Sequence, residues 1–489
     1  MLPVASAQQA RALDQHAIES WGLPSIALME TASHAIAAMA KRLWTGGEVV
    51  VVCGPGNNGG DGYGCARWLR QWQIPVRIWA VMPPATADAR TMASVCARME
   101  IPHVNSLGPA TLIVDALFGT GLTRPIEGVA AQAIEAICEH PGAVLSADLP
   151  SGLHADTGER MGAAVRAGTT LTLACLKPAF FLRDGPDLSG DVTVADLGLG
   201  RPADPIAQVA ERSHMASLWP RRRAHHHKGD SGHLMIVAGS TAMAGASLLC
   251  AQAALAAGVG LITVLAPRGA LPRLEALAPE AMVMVCGDGD VMSPPHDRGL
   301  HRKTAILMGP GLGGGAPLPS DLETWLHHLW HTSTLPICAD ADALVCASGP
   351  GSGPRVLTPH PGEAARMLDR PVSAVQRDRF GAARLLSDGR HTAVLKGPHT
   401  LVATPDRPMH INTTGNAVLA TGGSGDVLAG VIGALLARGV SAHDAARLAA
   451  HVHGLTADQL AQERSVGWTA MDLAKNLPHA LETMLGSAP

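Results

Sequence analysis

Six short apolar runs constrain the first half of this chain: EVVVVCG (48–54), VRIWAV (76–81), TLIVDAL (111–117), AVLSADL (143–149), TLTLACL (170–176) and DVTVADL (191–197). They are apolar at successive positions, as strands covered on both faces must be. Helical patterns such as GGDGYGCARWLRQW and GVAAQAIEAICEH lie between several of them. Parallel strands alternating with helices predict a doubly wound α/β fold, in which ligands bind outside the carboxyl ends of the strands. A second series follows: HLMIVAGS (233–240), LITVLAP (261–267), AILMGPG (305–311), PICADADAL (336–344), RVLTPH (355–360) and TAVLKGPHTLVA (392–403). Between the series, the stretch from about Arg201 to Arg223 is rich in Pro, Ala and charge and ends WPRRRA, which reads as a link. At 489 residues the chain has room for two domains of ordinary size. The boundaries expected are 1–205, a link at 206–224, and 225–489.

Composition removes several function classes. Hydrophobic residues are 47% and charged residues 16%, which fits large cores and excludes a mostly disordered chain. The net charge is -4 and no Lys/Arg block recurs, which argues against a nucleic-acid partner. A polyanionic ligand would have to be held by backbone amides, helix N-termini or a bound cation. Nine cysteines include no C-x-x-C pair, so neither a disulfide framework nor a zinc site is expected, and a reducing cytoplasm is. No apolar run reaches the roughly 18–20 residues of a membrane span. The N-terminus lacks the pattern of a signal peptide.

In the first half, CGPGNNGGDGYG (53–64) follows a strand and opens a helix. Its glycines let backbone approach a ligand, and its N–H groups can face an anion. It lacks the Lys-Ser/Thr of a P-loop, and a tight turn needing only positive φ is the plainer alternative. Asp115 and Asp148 end two further strands, followed by Gly119, Thr120 and Gly121 and by Ser151. With Asn58 they form an oxygen-only set suited to a hard cation, although a lone Asp at such a place is often a turn or cap residue.

In the second half, HHHKGDSGH (225–233) precedes the first strand. Adjacent histidines point in different directions, so the run reads as solvated linker, with Lys228 and Gly229 in a loop near a nucleotide. TPHPGE (358–363) places His360 and Glu363 in a proline-stiffened turn, and KGPHT (396–400) offers Lys396 and amides to a phosphate; either could be an ordinary turn. The most telling stretch is NTTGNAVLATGGSGDVLAGVIGALLARG (412–439). A glycine-rich turn runs into an apolar helix whose first turn carries Asp426. The helix N-terminus can stabilise charge on a transferring phosphoryl group, and the Asp can accept a hydroxyl proton. An N-terminal Asp is also a good cap, but that many glycines exceeds the needs of capping.

NNGGDGYG, VDALFGTGL and DLPSGL, in that order, resemble the NAD(P)H-hydrate epimerase domain over roughly residues 5–205. The resemblance implies a Rossmann-like α/β/α layer fold and a K⁺ ion held by Asn58, Asp115 and Ser151. It also implies contacts to the hydrated nucleotide from Asn57, Asn58, Gly59, Gly60 and Asp61, and from Gly119, Thr120, Gly121, Leu122, Thr123, Arg124 and Pro125. Asp148 would lie beside the reacting ring as the catalytic group. ALMETASHA (27–35) departs from that family, which usually has Ala-Gly shortly after Met-Glu. HKGDSGH, GSTAMAGAS, GPGLG, ADADAL, TPHPGE, VLKGPHT and GNAVLATGGSGDVLAG resemble the NAD(P)H-hydrate dehydratase family, of ribokinase-like three-layer fold, over about residues 220–485. That resemblance implies that Ala246, Gly311, His360 and Asp426 contact hydrated NADH or NADPH. Lys396, Gly397, Pro398, His399, Thr400 and Gly425 would contact the adenine nucleotide, ADP with Mg²⁺, and Asp426 would be the catalytic acid or base. The stretch between Cys286 and Lys303 matches no motif and reads as a variable loop. A homo-oligomer is the expected assembly. The alternatives are a ribokinase-like small-molecule kinase with a Rossmann-like regulatory module, and a non-catalytic binding protein. The converging carboxylates argue against both.

Overall fold

The computed structural model describes residues 1–221, 224–295, 300–387 and 390–486. The chain divides into two compact units, Leu2–Ala207 and Gln208–Pro489 together with Met1.

All six strands expected in the first unit form. In spatial order they are Val76–Ala80, Glu48–Cys53, Ala110–Ala116, Ala143–Ala147, Thr169–Leu173 and Asp191–Ala195, all parallel. Val49 to Cys53 are wholly inaccessible, as a central strand covered on both faces requires. The order reverses direction beside Glu48–Cys53, so the crevice between that strand and Ala110–Ala116 is the switch point where ligands bind in such sheets. The glycine-rich helix Asn57–Gln71 begins on one side of this crevice, and Asp115 ends the strand on the other.

The second unit has the same logic. Its parallel strands run Met282–Val285, Leu261–Ala266, His233–Val237, Ala305–Met308, Ile337–Ala339, Arg355–Leu357 and Thr392–Leu395 in space. TAVLKGPHTLVA is two antiparallel strands, Thr392–Leu395 and Leu401–Ala403, with KGPHT as the hairpin loop. Here the switch point lies between His233–Val237 and Ala305–Met308. Helix Ser424–Ala437 is buried at every position from Val427 to Ala437, as a helix apolar all round must be. Its C-terminal Ala437 carbonyl accepts from Thr304 Oγ1 just before a strand begins, so its N-terminus points to the carboxyl edge of the sheet.

Two readings need correction. The stretch at 206–224 is not a bare link. It contains a strand, Ala207–Val209, and a helix, Arg212–Leu218, whose Met215 and Ala216 join Trp219 in the core of the second unit. The Arg438 guanidinium covers Trp219 and donates to the Pro220 carbonyl. Three apolar side chains on one short helix, set among Pro and Arg, are too few to show a period. Arg222 and Arg223 lie outside the described residues. Lys228 and Gly229 also do not stand near the carboxyl edge of the sheet, where a nucleotide is expected. The Lys228 carbonyl presses on Gly260, just before the strand Leu261–Ala266 begins, so this loop lies at the amino edge. The three histidines are exposed. Of the variable loop, 296–299 lie outside the described residues, while Met282–Val285 before it is a strand absent from the expectations.

Candidate active sites

The first unit carries a cavity of about 490 Å³ at its switch point. Asp115 and Ser151 are wholly buried and are not among the residues that line it. One carboxylate oxygen accepts from Ser146 Oγ at 2.8 Å and the Ser151 amide at 2.9 Å, the other from Ser151 Oγ at 2.5 Å. Ser151 Oγ also accepts from the Phe118 amide at 2.9 Å, which ties the FGTGL loop to this carboxylate. Burial raises the Asp115 carboxyl, and the hydroxyl and amide donors oppose that rise.

Asp148 lines the cavity with φ +66°, a left-handed conformation that Asp tolerates but that carries strain. Its Oδ1 accepts from Lys177 Nζ at 2.5 Å, the Leu173 amide at 3.2 Å and Thr172 Oγ1 at 3.3 Å. Its Oδ2 faces Gly119: a Cβ there would lie 3.1 Å from that oxygen and 3.3 Å from Asn58 Oδ1. Asn58 Nδ2 is buried without a hydrogen-bond partner among the described residues. Asp14, Asp61 and Asp88 add to the cavity's acidic wall. Burial, then the charge of Asp148, pushes Asp14 and Asp61 upward, Asp61 strongly so.

Of the residues expected here, Asn57, Asn58, Asp61, Asp148 and Gly119 to Leu122 line the cavity. Gly59 and Gly60 do not. A Cβ at Gly59 would strike the Gly54 carbonyl at 1.9 Å, and one at Gly60 the Met29 thioether, so these glycines let the helix seat tightly against its neighbours. Thr123, Arg124 and Pro125 are exposed and stand outside the cavity wall. The atypical ALMETASHA segment belongs to helix Ser25–Leu43 and supplies Leu28, Met29 and Ala32 to the wall. Lys177 and Asp14 were missed. Lys177 follows a strand end in CLKP, the place where ligand-facing residues collect, and that was its one signal.

In the second unit, four loops meet at the carboxyl edge. Asp426 lies in the first turn of its helix, after Gly423 at φ +90°. Lys396, at the end of Thr392–Leu395, bonds Asp340 Oδ1 at 2.8 Å and lies 3.8 Å from Glu363 Oε2. A Cβ at Gly425 would be 3.3 Å from Lys396 Nζ and 3.8 Å from Asp340 Oδ2, which places the helix start against this pair. The Asp426 carboxyl is pushed up to about 7, by burial first and then by Asp340, with Lys396 opposing. TPHPGE is not a plain turn. His360 caps helix Pro361–Met367, accepting from the Glu363 amide while Glu363 accepts from the His360 amide at 2.7 Å. Gly311, at φ +65°, sits against Ala246 at the switch point: a Cβ there would be 2.9 Å from the Ala246 methyl. Gly397, Pro398, His399 and Thr400 form the hairpin loop. Gly397, at φ +132°, abuts the buried Arg379 guanidinium. Asp340 was missed although ADADAL had been noticed, because nothing in the string ranks one Asp above the other.

Residues 25–179 match the family described as YjeF-related protein N-terminus, and residues 234–479 the family described as NAD(P)H-hydrate dehydratase. A bifunctional NAD(P)H-hydrate repair enzyme of Thermofilum pendens is 35% identical over 99% of this chain and 97% of its own length. That of Escherichia coli is 37% identical over 88% and 84%. The crystal structure of the ADP/ATP-dependent NAD(P)H-hydrate dehydratase of Bacillus subtilis, co-crystallised with ATP/Mg²⁺, superposes with a TM-score of 0.50 at 32% identity. It covers 56% of this chain and 97% of that one. With two glycine-flanked carboxylate sites on two separate sheets and relatives matched end to end, the chain belongs to the family of bifunctional NAD(P)H-hydrate repair enzymes.

Proposed function

We propose that the first unit interconverts the R and S hydrates of NADH and NADPH at Asp148, and that the second dehydrates the S hydrate with ADP, releasing AMP and phosphate. The carrying observation is the setting of Asp426. It stands at a helix N-terminus beside the Lys396–Asp340 pair, with its carboxyl poised near neutrality. There it can take the proton of the ring hydroxyl as that oxygen attacks the nucleotide's terminal phosphoryl group, while the helix amides and Lys396 stabilise the charge that builds up. Elimination of phosphate from the resulting ester, with loss of a proton from the adjacent ring carbon to solvent, restores the ring double bond.

The donor set of the first unit fits K⁺: a buried carboxylate, a hydroxyl and an amide side chain are hard oxygen ligands. Asp115, Ser151 and Asn58 would hold it, and when bound it would offset the negative charge crowded at this site. In the second unit, Asp340 and Glu363 are already engaged by Lys396, so Mg²⁺ would enter with the nucleotide phosphates. Among the described residues no helix is long and apolar enough to cross a membrane. All nine cysteines are free, which supports a reducing cytoplasm. A homo-oligomer remains the assembly we propose.

The test is to incubate the protein with each hydrate epimer, K⁺, Mg²⁺ and either ADP or ATP, following epimers by chromatography and NADH by absorbance. Asp148→Asn is expected to slow epimer interconversion by about 10²–10⁴-fold and spare dehydration. A stable phosphorylated product without NADH would instead mark a kinase. Asp115→Ala is expected to remove stimulation of epimerisation by K⁺ over Na⁺ and to weaken K⁺ binding by roughly tenfold or more. Unchanged K⁺ stimulation in that variant would remove the cation from this site.

A further inference from the structure

The two oxygens of Asp148 are treated differently by the fold. Oδ1 is saturated by Lys177 Nζ, Thr172 Oγ1 and the Leu173 amide, whereas Oδ2 faces Gly119 at the cavity wall. Lys177 is 1% exposed and spends its donors inside the fold, on Asp148, on Thr172 Oγ1 at 2.9 Å and on the Leu173 carbonyl at 2.9 Å. A buried ammonium is costly unless it is paired and fully hydrogen-bonded, and here it is both. It adjoins a residue held in a left-handed conformation, which persists only where its surroundings over-determine it. Asp14, Asp61 and Asp88 also line the cavity, yet the ion pair that Lys177 makes is with Asp148.

We propose that Lys177 is a positioning residue for epimerisation: by pinning Oδ1 it fixes the rotamer of Asp148 and leaves Oδ2 as the oxygen presented to the substrate. This rests on the epimerase reading given above. In the step it serves, Oδ2 takes the proton of the ring hydroxyl, the oxygen–carbon bond becomes a carbonyl and the adjacent carbon–nitrogen bond breaks. The electron pair passes to the ring nitrogen, where conjugation with the carboxamide spreads it. The nitrogen then attacks the other face of the carbonyl, and the proton returns from Asp148 to oxygen. Nothing is oxidised or reduced, and no group is lost. The trajectory depends on which oxygen faces the ring, and Lys177 sets that without touching substrate.

The test uses the full chain with Lys177→Ala and Lys177→Met, assayed for epimerisation with R-hydrated NADH and, in the same tube, for dehydration of the S hydrate as a measure of intact protein. The expected result is a fall in epimerisation kcat of about 10²-fold with KM within threefold of the parent. Addition of methylammonium should restore kcat at least tenfold in Lys177→Ala and not in Lys177→Met, where the cavity is filled. Thr172→Val, which removes one donor to Oδ1 but leaves the ammonium, should fall by less than tenfold. Epimerisation within threefold of the parent in Lys177→Ala would overturn the proposal. So would a rise in KM at constant kcat, which would make Lys177 a substrate-binding group. A loss that methylammonium does not relieve would assign it a structural role only. If the parent protein itself fails to interconvert the hydrates, the epimerase reading falls and takes this proposal with it.

Discussion

Asp426→Asn is expected to suppress dehydration by about 10²–10⁴-fold while leaving epimer interconversion unchanged. The amide keeps the shape but cannot accept the hydroxyl proton. The same carboxyl sets a pH dependence. With its value pushed up to about 7 by burial and by Asp340, it is protonated on the acid side and cannot act as a base there. Dehydration kcat/KM should therefore climb with pH through about 7 and level off above it. In Asp340→Asn, where the neighbouring charge that raises Asp426 is gone, the acid limb should move to lower pH. A pH-rate profile of each variant checks this, and a parent profile flat from pH 5.5 to 8 would remove Asp426 as the base.

The second large effect concerns stability. His410, His443, His451 and His453 lie buried in the second unit, on strand Met409–Ile411 and helix Ala442–Glu463. Burial is the first cause in each case and lowers His410 to about 3 and the other three to about 4, with Arg447 and neighbouring histidines adding to the effect on His410. Neither ring nitrogen of His410, nor Nε2 of His451 and His453, has a hydrogen-bond partner among the described residues. The folded state keeps these imidazoles neutral, whereas an unfolded histidine takes up a proton near pH 6.5. Their contribution is therefore present above 6.5 and is lost as pH falls from there toward 4. Each costs about 2 kcal/mol by pH 5 relative to pH 7. Hydrogen exchange along helix Ala442–Glu463, corrected for intrinsic rates, should show steep loss of protection between pH 6.5 and 5. His410→Leu, which replaces an unpaired buried ring by an apolar group, should reduce that loss. Equal protection at pH 7 and 5 in the parent would contradict the neutral, buried state.

The strands were legible because their apolar runs are continuous: all six of the first unit formed, with Glu48–Cys53 and Asp191–Ala195 beginning where the string does. The short strands Ala207–Val209, Met282–Val285 and Met409–Ile411 were not, since three or four residues carry no measurable period and derive their conformation from a neighbouring strand. At the sites, Asp115, Asp148 and Asp426 could be read because each ends a strand or opens a helix beside glycine. Lys177, Asp14 and Asp340 could not, because their meaning is a distance: Lys177 meets Asp148 across 29 residues, and Lys396 meets Asp340 across 56. Gly59 and Gly60, expected to face the nucleotide, are outside the cavity lining and seat the helix against Gly54 and Met29. A string cannot distinguish a glycine that admits a phosphate from one that admits a methionine.

Gly430 faces the Cys250 carbonyl, where a Cβ would come within 2.5 Å, and the Cys250 thiol in turn reaches the Asp426 carbonyl at 3.3 Å. The Asp426 carboxylate, the proposed base, is thus mounted on a rod that is buried from Val427 to Ala437. Bulk added one turn down that rod at Gly430 meets the Cys250 carbonyl, so on the proposed reading it would tilt the mounting and displace the Asp426 carboxylate. Turnover and heat tolerance of this half should then drift together under random substitution, and selection for a faster catalyst will keep meeting the interior.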